Sequence, residues 1–421
     1  MKKKFVITRP VQVARRKPER LLTLSNRKGN YELWAEDLVA GTRCQLTNRR
    51  GGTVFGSLSP NGTHAFFLED KAGNEHGHFF RTPFAGGASV DITPTLPPYY
   101  SYGVSVSDDE RHLAFVGSFG KEQRVIHIPF SEKGQPKRAR MLFRSRNTLS
   151  DVLMNPNGRQ MFLVETKEER SGKRTLVFLF LSLIGDVRRK KTTWSGACYP
   201  LAIDGLPGAE RILVLANHTG MYRPYFINPK NGKAEQVLGR KFPGDVFVLQ
   251  WFAEKQLMVF CHVFQDKREL FVLHLHSKRL VRVGPTSGSF DLFFGSVALL
   301  PSGDLVLNWQ AFGTAPHRIR LFGSSYHSWE PLERPTAIST KPRTLKSVWI
   351  RSKDGTRVQM WVARPEHIRG PVPFVMDIHG GPDGIVSDEF ALEPHAWLDL
   401  GYGYCAVNYR GSIGFGKAFE E

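Results

Sequence analysis

The residues of greatest chemical interest form a short loop, His379-Gly380-Gly381-Pro382, which follows an apolar run. A pair of glycines lets the backbone approach a substrate carbonyl closely, because neither residue carries a Cβ. Backbone N–H groups presented in this way stabilise the oxyanion that develops when a carbonyl is attacked. The loop therefore predicts part of an acyl-transfer site, which also requires a nucleophile, a base and an orienting carboxylate.

The elements on either side of this loop predict a small α/β unit. Val372–Ile378 is a near-continuous apolar run, which is typical of a strand buried on both faces of a parallel sheet. Phe390–Leu400 is expected to be a helix that ends at Gly401, and Tyr404–Tyr409 is expected to be a second buried strand. A strand, a helix and a strand in succession indicate a parallel sheet.

A change of composition near residue 335 predicts a domain boundary. The segment Arg334–Pro342 is rich in Pro, Ser and Thr, as interdomain linkers are. Beyond it, Lys353-Asp354-Gly355 stands between the alternating runs Leu345–Arg351 and Thr356–Ala363, which is a strong hairpin signal. The α/β unit therefore begins with a hairpin.

Before this boundary, a pattern of apolar strand, polar turn and apolar strand recurs along the chain. The last turn residues of its copies are Gly62, Glu110, Gly158, Gly208, Lys255 and Gly303. They lie about 48 residues apart, and a seventh unit fits around Leu21–Leu24. This period predicts a seven-bladed β-propeller, whose blades bury a continuous core by stacking around an axis. A solenoid usually has a shorter period, and a sandwich has no fixed one.

The segment after the boundary resembles the opening of the α/β-hydrolase domain in the prolyl oligopeptidase family of serine peptidases, especially its acylaminoacyl-peptidase and dipeptidyl-aminopeptidase branches. The resemblance rests on Ser352-Lys353-Asp354-Gly355-Thr356, Ile378-His379-Gly380-Gly381-Pro382, Gly401-Tyr402, Asn408-Tyr409-Arg410-Gly411-Ser412 and Gly414-Phe415-Gly416. The family joins this domain to an N-terminal seven-bladed propeller that limits substrates to short peptides. The resemblance thus implies a mostly β chain: a seven-bladed propeller over residues 1–335 with a short N-terminal extension (1–16), a linker over 336–345 and an incomplete α/β-hydrolase domain over 346–421.

The same resemblance implies roles for the loop residues. The backbone N–H of Gly381, with that of Gly380, would donate to the oxyanion, while His379 and Pro382 would position the loop. The segment Arg410-Gly411-Ser412 would be structural. No cofactor and no metal is expected, and short peptides are the expected partners of the intact family member.

The family's nucleophile stands in a G-x-S-x-G turn, and no such motif occurs in these 421 residues. Ser412 has Arg410 rather than glycine two positions before it, so it is not expected to be the nucleophile. The catalytic Ser, Asp and His are therefore expected to be absent, the chain to be truncated before the serine, and the 421-residue polypeptide to be inactive. The alternative is a noncatalytic propeller that binds peptides or proteins.

The charge balance raises a further alternative. Lys and Arg number 58 against 39 Asp and Glu, for a net charge of +19, so a nucleic acid or an anionic surface could be a partner. The charge is dispersed, and its short clusters at 2–4, 15–17, 137–140 and 188–191 contain no aromatic residues for base stacking. A solvated basic surface is therefore expected, with no specific nucleic acid and no membrane as partner. Since neither a signal peptide nor a long apolar run is visible, a cytoplasmic location is expected.

Cysteine and histidine patterns give weak indications of a metal. Cys44, Cys198, Cys261 and Cys405 lie far apart and mostly in apolar runs, which predicts buried free thiols. The pairs His76/His78 and His274/His276 could each place two imidazoles on one strand face, but no third ligand stands nearby in the sequence.

Overall fold

The computed structural model describes residues 6–70, 73–171, 174–204, 210–238, 242–333, 343–381 and 384–420. Seven antiparallel sheets of four or five strands follow one another along the chain, and an eighth, mixed sheet comes after them. Two short helices accompany the eighth sheet, α1 (Leu392–Asp399) and α2 (Lys417–Glu420). The described chain is therefore nearly all β, as the sequence predicted.

The strands of the first three sheets run in chain order, four to a sheet. They are β1 Thr8–Val13, β2 Arg20–Ser25, β3 Glu32–Asp37, β4 Thr42–Gln45; β5 Ser57–Leu58, β6 His64–Asp70, β7 Gly77–Pro83, β8 Val90–Asp91; and β9 Ser105–Val106, β10 His112–Phe119, β11 Glu122–Pro129, β12 Arg140–Ser145.

Sheets four to seven follow the same plan, except that the innermost position of sheets four and seven is shared by two short strands. They contain β13 Thr148–Leu149, β14 Leu153–Met154, β15 Gln160–Glu168, β16 Arg174–Ser182, β17 Val187–Lys191; β18 Cys198–Ile203, β19 Ile212–Ala216, β20 Arg223–Ile227, β21 Ala234–Gln236; β22 Asp245–Phe252, β23 Leu257–Phe264, β24 Lys267–His274, β25 Arg279–Val283; and β26 Ser289–Phe290, β27 Ala298–Leu299, β28 Leu305–Ala311, β29 Thr314–Leu321, β30 Trp329–Pro331.

The repeated polar turns lie between the innermost strand of a sheet and the strand that follows it. Gly62, Glu110, Gly158 and Gly303 have φ values of 62°, 55°, 74° and 87°, the left-handed backbone that tight turns require. The predicted turn positions are confirmed there, while at Lys255 the positive φ falls on the next residue, Gln256. The predicted turn residue Gly208 lies outside the described residues.

The hydrophobic core is divided among the spaces between successive sheets. Phe66, Phe79 and Phe115, for example, pack between the second and third sheets. Val13 and Leu21 of the first sheet pack against Ala298 and Val306 of the seventh, so the two ends of the series are adjacent. The side-chain amide of Asn308 in β28 also donates to the Thr8 carbonyl in β1, at 2.9 Å.

The innermost strands surround one central cavity of about 320 Å³. Its walls include Gln12 of β1, Ser105 of β9, Met154 of β14 and Gln250 of β22. Strands from across the series share this cavity because each sheet presents its first strand toward the same axis.

The eighth sheet has the order β31–β32–β34–β33, with β31 at Lys346–Arg351, β32 at Arg357–Ala363, β33 at Phe374–Asp377 and β34 at Gly403–Asn408. The hairpin β31–β32 turns at Gly355, as predicted. Strands β33 and β34 are parallel and are joined through α1, which confirms the predicted strand, helix and strand. Gly401 follows the helix with a φ of 90°, as a C-terminal glycine should.

The prediction that Val372–Ile378 is buried on both faces is wrong. Phe374, Met376 and Ile378 are 43%, 59% and 66% exposed. The reason is that no described element packs over these side chains; β33 also lies at the edge of its sheet and pairs only with β34. Val348 and Ile350 of β31 are also exposed, so an apolar face of the eighth sheet is uncovered by the described part of the chain.

The eighth sheet and its helices contact one end of the seven sheets, called here the near end. The amide of Gly414 donates to Asp245 at the start of β22, and that of Lys417 donates to the Gly220 carbonyl between β19 and β20. The ring of His395 in α1 stacks on Phe312, in the β28–β29 turn. The opposite end, with the repeated polar turns, is called the far end.

Candidate oxyanion site

The glycine loop begins directly after β33, at the edge of the eighth sheet. Gly380 and Gly381 are both exposed, and Gly381 has a φ of 134°, a conformation that side chains other than glycine rarely adopt. A Cβ at Gly380 would meet nothing within 4 Å, so that position has open space around it. Pro382, the fourth predicted loop residue, lies outside the described residues.

The two glycine amides are available as hydrogen-bond donors. Within the described ranges, neither the Gly380 nor the Gly381 N–H donates to another group of the protein. Two adjacent free N–H groups on an exposed backbone are what an oxyanion-binding loop requires. The oxyanion role of these two amides stays a prediction, which their exposure supports.

His379 is held by side chains that come from β34 and the segment after it. Its ring stacks on Tyr409, with centroids 4.6 Å apart, and the Tyr409 hydroxyl donates to the His379 carbonyl at 2.6 Å. The His379 Nε2 atom lies 2.9 Å from the Ser412 hydroxyl oxygen. These contacts are consistent with a histidine that positions the loop.

The contact between His379 and Ser412 is not a nucleophile and its base. Ser412 is fully buried at 0% exposure, and its hydroxyl donates to the Tyr409 carbonyl at 2.7 Å. The Ser412 hydroxyl proton lies within reach of two acceptors, this carbonyl and the His379 Nε2 atom, because the Gly380 carbonyl, 2.9 Å from His379 Nδ1, can only accept and so takes the Nδ1–H of a neutral imidazole. A serine without access to solvent cannot attack a substrate carbonyl, so the predicted structural role of Ser412 is supported by its burial.

A buried amide pair ties the segment after the loop to the sheet. Asn408 and Gln359 are each 0% exposed, and the Asn408 Nδ2 atom donates to the Gln359 Oε1 atom at 2.5 Å. Asn408 also accepts from the Val386 N–H at 2.8 Å and donates to the Val386 carbonyl at 2.9 Å. The chain leaving the glycine loop is thereby fixed against β34. The sequence analysis missed Gln359, whose polarity inside an otherwise apolar strand was the available signal.

Two aspartates that the sequence analysis missed join the eighth sheet to the near end. Asp388 accepts from the Phe312 amide at 2.9 Å and from the Gly288 amide at 3.0 Å, both in the seventh-sheet region. Asp245 is 1% exposed and accepts from the Tyr222 amide at 2.8 Å and the Gly414 amide at 2.6 Å. Burial raises the pKa of Asp245, and these amide donors partly offset that effect. No local sequence signal distinguishes these two from surface aspartates.

Charged side chains from distant sheets meet at the far end, beside the central cavity. Arg15 of the loop after β1 pairs with Asp108 of the third sheet, and Arg16 pairs with Glu254 of the sixth. Arg15 also lines the cavity. These ion pairs join the first sheet to the third and sixth across the far end.

Near-end residues that precede the innermost strands give the cavity an aromatic rim. Phe55 and Tyr102 are 55% and 60% exposed and lie edge to face, with centroids 6.4 Å apart. Asp151 also lines the cavity, and part of its side chain is exposed to solvent. Loss of hydration to the surrounding protein atoms raises its pKa to about 6. The cavity therefore combines apolar surface with a carboxylate.

The metal-binding patterns are not assembled in the described residues: no group of three or more His, Cys, Asp and Glu side chains lies close enough to hold an ion there. All four cysteines are free thiols. Cys198, Cys261 and Cys405 are buried as predicted, whereas Cys44 is only half-buried because β4 is an outer strand. In the described ranges, no helix is long and apolar enough to span a bilayer.

Comparison with known proteins gives a limited match in sequence and an extensive one in structure. No family model matches the chain. A protein of Bacillus subtilis (strain 168), named as the uncharacterized peptidase YuxL, is 33% identical over 70 residues, which are 16% of this chain and 11% of that protein.

Solved peptidase structures match almost the whole chain. The crystal structure of puromycin hydrolase matches with a TM-score of 0.76 and 16% identity, over 98% of this chain and 68% of that one. A puromycin-hydrolyzing peptidase of Mycobacterium tuberculosis gives 0.75 and 16%, over 99% and 67%. The acylaminoacyl peptidase of Pyrococcus horikoshii gives 0.70 and 14%, over 99% and 67%.

A structure of prolyl endopeptidases matches over 98% of this chain and 63% of that one. The chain thus spans about two thirds of the length of the structures it matches. At this level of identity, the likeness concerns the fold. The chain therefore has the fold shared by these peptidase structures, and the predicted resemblance to the prolyl oligopeptidase family is confirmed at the level of fold.

Proposed function

We propose that the chain provides the propeller and the oxyanion loop of a serine peptidase of the prolyl oligopeptidase type, which hydrolyses short peptides. In this proposal the seven antiparallel sheets are the seven blades, over residues 1–335. Residues 336–345 are the linker, and residues 346–421 are the beginning of an α/β-hydrolase domain, with β33 and β34 as its first parallel pair.

The observation that carries the proposal is the glycine loop at the end of β33. Gly380 and Gly381 are exposed, and their amides have no acceptor among the described residues, directly after the edge strand β33. In the reaction, these amides would donate to the oxyanion formed when a peptide carbonyl is attacked. His379 would hold the loop through Tyr409 and Ser412 rather than transfer a proton.

Short peptides are the proposed substrates for two reasons. The solved structures that share the fold are peptidases, and the central cavity of about 320 Å³ is too small for a folded protein.

The first test is the activity of the 421-residue polypeptide. Because it contains no G-x-S-x-G motif, we expect no hydrolysis of chromogenic peptides and no reaction with a serine-reactive phosphonate. Stoichiometric labelling of one serine would contradict the proposed inactivity.

The second test is the coding DNA that follows codon 421. A G-x-S-x-G motif in any reading frame would support the peptidase proposal, whereas its absence would favour a noncatalytic function.

That noncatalytic alternative, a propeller that binds peptides, is favoured by two exposed aromatic side chains: Tyr102, which lines the cavity, and Phe55, which lies edge to face with it. It predicts saturable binding of short peptides to the 421-residue protein, measured by calorimetry. Replacement of Phe55 and Tyr102 by alanine should weaken this binding, and unchanged affinity would contradict a role for the rim.

A further inference from the structure

The excess positive charge of the protein is concentrated in one part of the chain. Residues 133–191 contain 15 Lys and Arg but 5 Asp and Glu, so about half of the net charge of +19 lies in this segment. It covers the outer part of the third sheet and all of the fourth. The charge is therefore not spread evenly over the surface.

The topology brings many of these cations to the far end. In each sheet the turns after the first and third strands lie there, opposite the contacts with the eighth sheet. Direct contacts agree with this placement: the Leu183 amide donates to the Arg159 carbonyl at 3.4 Å, and Arg188 donates to the Lys230 carbonyl at 3.1 Å. The Asp108 amide of the third sheet also donates to the Pro156 carbonyl of the fourth at 2.8 Å, so the turns of the third, fourth and fifth sheets are neighbours.

Six exposed cations on these turns form a surface called here the basic rim. Its members are Arg138, Arg140, Arg159, Arg188, Lys230 and Lys233. None of the six makes an ion pair with a described carboxylate. Elsewhere the guanidinium groups are commonly paired, as Arg20 is with Asp37 and Arg320 with Asp304. The described acids near the rim are Glu132, Asp186, Glu210 and Glu235; Glu132 pairs with Arg111, and Asp186 and Glu210 line a pocket together with Arg188 and Lys230.

Two large apolar side chains project from the same end. Ile184, at the β16–β17 turn, is 86% exposed, and Met141, near the start of β12, is 53% exposed. Ile184 is the most exposed large apolar side chain in the described residues. It stands between Arg159 and Arg188, so an apolar tip is flanked by positive charge.

We propose that the basic rim, with Ile184 and Met141, docks the protein on an anionic lipid bilayer. Each Lys or Arg near such a surface strengthens binding by about fivefold, and an apolar tip gains from entry into the interface. The eighth sheet and its glycine loop lie at the opposite end, so docking leaves the candidate site accessible. This proposal replaces the expectation of a merely solvated basic surface, and it does not rest on the proposed function.

A nucleic acid fits these observations less well. The rim offers no exposed aromatic side chain for stacking bases, and the described helices α1 and α2 both accompany the eighth sheet, so no helix of the rim could enter a groove. The exposed Ile184 would also gain nothing from contact with a phosphate backbone.

The test is co-sedimentation of the 421-residue protein with vesicles of phosphatidylcholine, with or without phosphatidylserine. We expect binding only to the phosphatidylserine vesicles, with affinity that falls as salt is added. The triple variant Arg138→Glu, Arg140→Glu, Arg159→Glu should lose at least about a hundredfold in affinity.

The matched control is Lys121→Glu, Lys167→Glu, Arg170→Glu, which makes the same change of charge on exposed residues at the near end of the third and fourth sheets. It should keep most of the affinity, because its side chains would face away from the bilayer. An equal loss in both triple variants would mean that only net charge matters and would overturn the proposal.

A third variant, Ile184→Ser, separates a membrane from a nucleic acid. It leaves every charge in place and should weaken vesicle binding by about fivefold. Duplex DNA of mixed sequence is the competing probe. Tight DNA binding that the rim variant abolishes and Ile184→Ser leaves unchanged, together with no vesicle binding, would assign the rim to nucleic acid instead.

Discussion

At the glycine loop, two neighbouring residues of the same type have different structural requirements. Gly381 has a φ of 134°, whereas Gly380 has an ordinary φ and open space where a Cβ would stand. Gly381 is therefore required by the backbone conformation. Gly380 is not required by the conformation of the free protein; in the proposed function, its lack of a side chain leaves room for a substrate carbonyl.

This difference predicts unequal effects of alanine. Gly381→Ala should destabilise the loop by about 1–2 kcal/mol, because a Cβ strains a left-handed backbone, and Gly380→Ala should cost less than about 0.5 kcal/mol. The measurement is hydrogen exchange of the amides in β33 and β34 in the two variants. Equal effects would contradict the backbone argument.

Asn408 gives a second prediction at this scale. Asn408→Ala leaves the Gln359 amide oxygen and the Val386 N–H buried without these partners, which should cost about 2–4 kcal/mol. Exchange should accelerate in β32 and β34 but not in the seven-sheet part. The control is Asn157→Ala, whose side chain is exposed and accepts one amide in a turn. Unchanged exchange in β32 would show that the pair adds nothing to the sheet.

At the scale of elements, polar turns link neighbouring sheets as well as ending strands. Glu110, in the β9–β10 turn, accepts from Thr63 and from the Asn61 amide of the second sheet, and it lies 3.5 Å from His64. Burial acts to raise the pKa of Glu110, but the hydrogen bonds from these groups lower it to about 2. The turn is therefore held to its neighbour by a carboxylate that must stay ionised.

The sign of the resulting pH dependence follows from the lowered pKa. The folded state holds the Glu110 proton less tightly than the unfolded chain, so the stabilisation is complete above about pH 4.5 and disappears as the pH falls to about 2. Glu110→Gln should reduce the free energy of unfolding by about 2–3 kcal/mol at neutral pH and by much less near pH 3.

Urea unfolding at both pH values measures this effect. The matched control is Glu132→Gln, since the Glu132 side chain is 86% exposed and its one ion pair is at the surface. A loss of stability in Glu110→Gln that is the same at both pH values would contradict the role of the ionised carboxylate.

At the scale of the whole molecule, closure of the series of sheets depends on contacts between its first and last members. Arg318 of β29 donates to Glu36 of β3 at 2.7 Å, and the two side chains are 12% and 4% exposed. Burial acts to raise the pKa of Glu36, but Arg318 and Arg43 lower it below its usual range. A buried ion pair thus lies between residues 282 positions apart in sequence.

Removal of Arg318 should weaken the contact between the first and seventh sheets. Arg318→Leu leaves Glu36 buried with a weaker set of partners, which should destabilise the protein by about 3 kcal/mol and accelerate exchange in β1 and β3. Arg282→Leu, which removes a half-exposed pair with Glu269 inside the sixth sheet, should cost less than about 1 kcal/mol. Faster exchange in the fourth sheet rather than in the first would contradict the closure argument.

Much of this architecture could be predicted because its causes are local. The repeated turns require a positive φ, and glycine or a polar residue at Gly62, Glu110 and Gly158 supplies it, so the period of the sheets is visible in the sequence. The glycine loop follows a strand for an equally local reason. The burial of Ser412 and the exposure of Met376 could not be predicted in this way. Both depend on which elements cover these side chains, and the pattern of a strand does not contain that information.

By itself, the sequence determined the series of antiparallel sheets, the parallel pair β33 and β34, and the position of two adjacent glycines after β33. Only the tertiary structure decided that Asp245 and Asp388 fix the eighth sheet to the near end, that the innermost strands enclose one cavity, and that cations without an ion pair to a described carboxylate lie near Ile184 at the far end. The physical reason is the sequence separation of the interacting residues. Turns and the alternation of apolar and polar residues depend on neighbours within a few positions, whereas these three features depend on groups brought together from distant parts of the chain.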